Sequence, residues 1–214
     1  MKKITLGLGM DLKTKELSAI TLNQNVLLGN ILIVGKSKEA NKRFVTNIVS
    51  QIENKEKSMV TRITESEITV KIMDTKVSNY NGNLKEDIYK CMEFIINDVK
   101  DGTTPYLLVI EDMSNVETEM LDMLILECKR YERELKIIVS VDSVDKIGNK
   151  DNFKTAMFFK GLDNKSIDII YNKSINNDYN MDLLIALLHG IPSRHYLLSR
   201  ENNLSYVKAP YIEE

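Results

Sequence analysis

The sequence predicts an α/β fold: a mainly parallel sheet flanked by helices, with short antiparallel strands at the N- and C-terminal ends. Three observations carry this expectation. Continuous aliphatic and β-branched runs at residues 31–34, 107–110 and 136–141 have the pattern of strands buried on both faces of a parallel sheet. Helical apolar periodicity fills the intervals between them, giving the strand, helix, strand order of a doubly wound sheet with right-handed crossovers. Shorter runs bounded by turn residues stand at both ends of the chain.

Each element follows from its own pattern. Residues 11–15 read as a turn and 17–22 as a strand, together a short antiparallel pair ahead of the run at 31–34. Phe44, Val45, Ile48, Val49 and Ile52 repeat at i, i+1, i+4, i+5 and i+8, one face of a helix running to about residue 53. Strand-like runs follow at 59–63 and 68–72, then a loop at 79–83. Asn83 with Glu86 resembles a capping box, opening a helix with Leu84, Ile88, Cys91, Met92, Ile95 and Val99 on one face. After Pro105 comes the run that ends in Glu111 and Asp112. Ser114 with Glu117 repeats the capping pattern, for a helix expected to bury Met120, Met123, Leu124, Cys128 and Tyr131. The remainder is more polar, with strands expected at 155–159 and 167–171, a helix at 181–188, and a closing strand pair at 195–199 and 204–208.

The chain has 214 residues, enough for one large α/β domain whose core needs no disulfide or metal staple. A formal charge of −2 supplies no general basic field, so DNA is not expected as a partner. Cys91 and Cys128 lie on apolar helix faces without metal-ligand spacing, and read as buried structural thiols in a reducing compartment. His189 and His195 have neither a paired cysteine nor a carboxylate cluster beside them and read as turn or surface residues. No segment approaches the roughly 20 apolar residues that span a bilayer.

The segment from Asn30 to Lys42 is the most informative. An apolar strand, Gly35 and an amphipathic helix form the frame of a phosphate-binding loop, G-x-x-x-x-G-K-[ST]. Counting from Gly35 puts Ala40 at the second glycine, Asn41 at the phosphate-neutralising lysine and Lys42 at the hydroxyl that holds magnesium. The triplet Gly35, Lys36, Ser37 is a decoy, because Gly29 lies one residue too far upstream and the intervening residues are the strand itself. Lys36, Lys38 and Lys42 still cluster at a helix N-terminus, which is either a weak phosphate site or a solvated basic turn. Glu111 and Asp112 stand where nucleotide hydrolases place the carboxylates that hold magnesium and orient water, but the longer side chain comes first. The same pair also suits a helix dipole without any metal.

The phrase Leu6-Gly7-Leu8-Gly9-Met10-Asp11, the strand ending at Gly35, the strand ending at Glu111 and Asp112, and the close at Gly190, Tyr196-Leu197-Leu198 and Pro210-Tyr211 together resemble the FtsK/SpoIIIE family of RecA-like P-loop ATPases. The resemblance spans nearly the whole chain and is nearest to the third, C-terminal ATPase domain of type VII secretion motors. It implies a RecA-like P-loop NTPase fold and a single domain, residues 1–214, cut from a larger membrane-anchored protein with a cytoplasmic motor. It further implies a part in substrate recognition or in regulating protein export. Implied partners are secreted WXG-type proteins or toxins and neighbouring ATPase domains, with homo-oligomers in the full-length protein. Given Ala40, Asn41 and Lys42, no catalytic residue is carried over. No metal or cofactor is expected to be required, and ATP with magnesium is doubtful. The alternative expectation is a weakly active ATPase of the translocase type, moving protein or DNA.

Overall fold

The computed structural model describes residues 3–23, 30–53, 59–63, 68–72, 75–79, 106–111, 118–130, 135–163, 165–167, 180–200 and 203–210, with single positions between 86 and 97. In chain order the elements are β1 (Lys3–Asp11), β2 (Leu17–Asn23), β3 (Asn30–Val34), α1 (Lys38–Glu53), β4 (Met59–Ile63), β5 (Ile68–Ile72), β6 (Thr75–Asn79), β7 (Tyr106–Ile110), α2 (Thr118–Arg130), β8 (Leu135–Val141), β9 (Phe153–Phe158), α3 (Met181–Gly190), β10 (His195–Arg200) and β11 (Asn203–Lys208). The strands form one sheet in the order β2-β1-β11-β10-β9-β3-β8-β7-β4-β5-β6.

The centre of this sheet is parallel, running β9, β3, β8, β7, β4. Both flanks are antiparallel. The N-terminal and C-terminal strand pairs, expected at opposite ends of the chain, meet in one arm where β1 pairs with β11.

Period-two alternation along β3 sorts its side chains to two faces. Ile31 and Ile33 join Phe44, Val45, Ile48 and Val49 of α1, four of the five residues in the stripe that periodicity marks on that helix. Leu32 and Val34 join Leu121, Leu124 and Ile125 of α2 and Leu184 and Leu188 of α3. Helices therefore cover both faces, and all five residues of β3 are buried. The side chain of Ile52 lies outside the described residues.

The first hairpin shows why residues 11–15 turn. The Asp11 carboxylate accepts from the backbone N–H of Lys13 and Thr14, each at 2.8 Å, and these bonds hold its pKa below the usual carboxylate range. Lys15 closes the turn in the left-handed region, φ 63°. A Cβ costs about 1–2 kcal/mol there, less the greater backbone entropy of glycine in the unfolded chain. Lys15→Gly is therefore expected to stabilise the protein by roughly 0.5–1 kcal/mol, read as a Tm rise of about 1–4 °C. A fall in Tm would show that the turn does not hold this conformation.

Several expectations are corrected. Met123 is 46% exposed, whereas Met120 and Leu124 are buried with Leu121 and Ile125. At 100° per residue the buried arc of α2 runs through 120, 121, 124 and 125, and 123 falls outside it. Residues 165–167 are helical, with Ile167 N–H donating to Asp163 O at 3.2 Å, so a strand does not begin at Ile167. The third strand of the β4, β5, β6 flank was not anticipated, because Thr75–Asn79 is polar at most positions. Cys91 is buried and helical as expected, and burial pushes its thiol up to about 12, which keeps it protonated and unreactive. The burial of Cys128, Tyr131 and both capping-box pairs lies outside the described residues.

Candidate functional site

Strands β3, β7, β8 and β9 all deliver their carboxyl ends to one edge, where the chain from β3 has β8 on one side and β9 on the other. This is where open α/β sheets place ligand crevices. Gly35 follows β3 there. Its N–H donates to Val141 O at 3.1 Å, and Phe159 N–H donates to Val34 O at 2.8 Å, so the loop is tied to the strand ends on either side.

The residue at the lysine position faces inward. Asn41 is 4% exposed and its Nδ2 donates to Gly35 O at 2.7 Å and to Val141 O at 3.5 Å. It braces the loop against β8. A Cβ on Gly35 would lie 2.6 Å from Asn41 Oδ1 and 2.9 Å from Phe159 Cβ. The glycine is thus required by the close approach of these two neighbours, and its backbone does not adopt positive φ.

Ser37 acts as the helix cap. Its Oγ accepts from Ala40 N–H at 3.3 Å, and its carbonyl accepts from Asn41 N–H at 3.0 Å, the first helical bond of α1. Because α1 begins at Lys38, only residues 35–37 remain as loop. The four positions between the glycines of a phosphate-binding loop would be 36–39, and the last two are already helical.

The sequence-predicted residues therefore divide. Gly35 and Asn41 are buried; Lys36, Ser37, Ala40 and Lys42 are exposed. The Lys36 side chain runs along Gly161, with its Cβ, Cγ and Cδ 3.6–3.7 Å from a Cβ built there. The Ser166 hydroxyl and backbone N–H hold Asp163 below its usual pKa, and Lys36 adds a smaller share. Glu111, directly after β7, is buried at 6% exposure on the same sheet edge. Asp112 lies outside the described residues.

Beside the loop is a cavity of about 500 Å³ that the sequence did not reveal. One wall is the start of α1, with Ser37, Glu39, Ala40, Arg43 and Phe44; Phe159 and Lys160 follow β9; the opposite wall is the turn 192–195 with Ala209 and Pro210. Its aromatic floor is Phe44 and Phe159, which pack on the buried Tyr196, the three ring centroids lying 5.1–5.2 Å apart. The Tyr196 hydroxyl donates to Leu6 O at 2.9 Å, tying this floor to β1, and burial raises its pKa.

The turn forming the far wall is tightly made. His195 N–H donates to Pro192 O at 3.2 Å and Ala209 N–H to Arg194 O at 2.8 Å. Arg194 has φ 67°, a left-handed conformation for a residue with a long side chain. His195 stacks on Tyr206 with centroids 5.3 Å apart, and its Nδ1 lies 3.1 Å from Ser193 O. His189 ends α3 and is exposed.

Sheet order and helix placement define a P-loop NTPase-like fold. No family model matches the sequence, and no curated protein is significantly similar to it. Among solved structures, EssC (ATPases 2 and 3) from Geobacillus thermodenitrificans matches with a TM-score of 0.67 at 11% identity, over 100% of this chain and 46% of that one. EccC (ATPases 2 and 3) from Thermomonospora curvata, in complex with a signal sequence peptide, matches with a TM-score of 0.58 at 8% identity, over 99% and 43%. The genome packaging NTPase B204 from Sulfolobus turreted icosahedral virus 2, in complex with AMPPCP, gives 0.57 at 13% identity, over 86% and 98%. The chain thus has the fold of an EssC-type ATPase domain and spans about half the length of the EssC and EccC structures it matches.

Proposed function

We propose that this chain is one domain of a type VII secretion motor that has kept the ATPase frame without ATP turnover and serves substrate recognition or regulation of export. The inward Asn41 carries this reading. It stands where the loop count places the phosphate-binding lysine, and its amide nitrogen is occupied in bracing Gly35 and Val141. The short loop and the Ser37 cap support it, because the loop between Gly35 and α1 is too short to wrap its N–H groups around a phosphate and the cap already takes the N–H of Ala40. The fold shared with EssC and EccC supports membership in such a motor.

On this reading the chain works within a longer, membrane-tethered protein, on the cytoplasmic side, beside neighbouring ATPase domains. Its partners are secreted WXG-type proteins or toxins, and the full-length protein forms homo-oligomers. The EccC structure, which holds a signal sequence peptide, is consistent with recognition by a domain of this fold.

Calorimetry with ATP and magnesium, together with a steady-state phosphate-release assay, tests the reading. The expected result is no turnover above background. A second reading, a weak ATPase completed by an arginine from a neighbouring subunit, is favoured by the buried carboxylate of Glu111 at the end of β7. Saturable hydrolysis that disappears in Glu111→Gln would establish that second reading in place of the first.

A further inference from the structure

The cavity beside the loop has a polarity of its own. Among the described residues that line it, the cations are Arg43, Lys160 and Arg194 and the carboxylate is Glu39, in a chain whose overall charge is negative. Glu39 is already engaged by Arg43 at 3.1 Å, one helical turn away. Arg43 belongs to α1, Lys160 directly follows Phe159 in the segment bonded to Val34 O, and Arg194 belongs to the turn 192–195.

A nucleotide in a phosphate-binding loop needs cationic and N–H groups at the loop itself. Here the loop side supplies Ala40 and a capped helix start, and neither Lys36 nor Lys42 lines the cavity. The strained backbone at Arg194 is held by hydrogen bonds on both sides of it, and strain of this kind collects at ligand clamps. A volume of about 500 Å³ falls in the range of sites that enclose a drug-sized ligand or a short peptide segment.

We infer that this cavity binds a peptide segment of a partner protein in which a carboxylate stands next to a leucine- or phenylalanine-sized side chain. The apolar side chain packs on Phe44 and Phe159, and the carboxylate meets Lys160 and Arg194. The inference rests on the proposed recognition role and gives it a location and a ligand chemistry.

The probe is N-acetyl-Leu-Phe-Glu with its carboxylates free, titrated into the ¹⁵N-labelled 214-residue protein and followed by backbone amide shifts. Saturable shifts confined to the neighbourhood of Arg43, Phe44, Lys160 and His195 are expected, with a Kd below about 1 mM. The neutral counterpart N-acetyl-Leu-Phe-Gln-amide should bind at least about tenfold more weakly, the loss of a charge-assisted contact. Lys160→Gln and Arg194→Gly should each weaken the acidic peptide by about tenfold. Arg194→Gly also relaxes the left-handed backbone, so an unchanged or raised Tm in that variant separates lost binding from lost folding.

No saturable shift up to about 5 mM, equal binding of the neutral peptide, or AMP binding at the same residues more than about tenfold tighter than the peptide would overturn the inference. ATP turnover with peptide binding intact would remove the non-catalytic reading and support this one. Absent peptide binding without ATP turnover would remove this one alone.

Discussion

Tyr196→Ala is expected to lower the free energy of unfolding by about 4–6 kcal/mol, combining the loss of a fully buried ring with a backbone carbonyl left without its donor. Tyr196 is 0% exposed and packs against Phe44 and Phe159, and its hydroxyl is the donor to Leu6 O at 2.9 Å. Since a domain is stable by only about 5–15 kcal/mol, this substitution removes about a third or more of the stability. Tyr196→Phe keeps the ring and removes only the hydroxyl, so it should cost about 1–3 kcal/mol. Urea unfolding followed by circular dichroism gives both values. Equal losses for the two variants would mean that the ring contributes little, against the packing described. Because Tyr196 underlies the cavity floor, the milder variant should leave peptide binding within about twofold of the parent.

Asn41→Lys is the substitution that would formally restore the lysine of a phosphate-binding loop, and it is expected to destabilise the protein without creating an ATPase. The side chain it replaces is 4% exposed and donates to Gly35 O and Val141 O. Replacing the neutral amide by an ammonium that stays buried carries a desolvation cost of about 3–5 kcal/mol. If it turns outward instead, the brace on Gly35 is lost and about 1–3 kcal/mol goes with it. In either case Ala40 and the early start of α1 at Lys38 remain, so the loop is still too short to wrap a phosphate. Phosphate release by the variant, compared with the parent at matched concentration, is the measurement. A clear gain in turnover would show that the missing lysine alone silences the loop.

These two residues mark how far the sequence is legible. Tyr196 stands out in the sequence as part of a closing strand and of the family resemblance, yet its partners Phe44, Phe159 and Leu6 come from three distant segments. Asn41 reads as a polar residue near a helix start. It is buried with its amide nitrogen on Gly35 O and on the carbonyl at the end of β8, 100 residues away. Met123 was misplaced for a related reason: a stripe of apolar residues on an isolated helix does not say where the centre of the buried arc falls, and only the sheet beneath α2 fixes it. The Asn180 cap of α3, which accepts from Asp182 N–H at 2.8 Å, was legible in principle, since an asparagine immediately before an apolar helical run is a start signal.

What the sequence by itself determined is the set of elements whose signal is local. The buried run of β3, the apolar face of α1, the first hairpin with its Asp11 turn and the closing strand pair all depend on neighbours within a few residues, and so does the count from Gly35 that replaced a lysine with Asn41. Tertiary structure alone decided what that replacement does. It turned Asn41 inward onto Gly35 and Val141, made Ser37 a cap, joined the two ends of the chain through β1 and β11, and brought the start of α1 against the turn at Arg194. The physical reason is that burial and charge complementarity arise between segments far apart in sequence, and neither the asparagine nor the arginine carries a mark of the surface it will face.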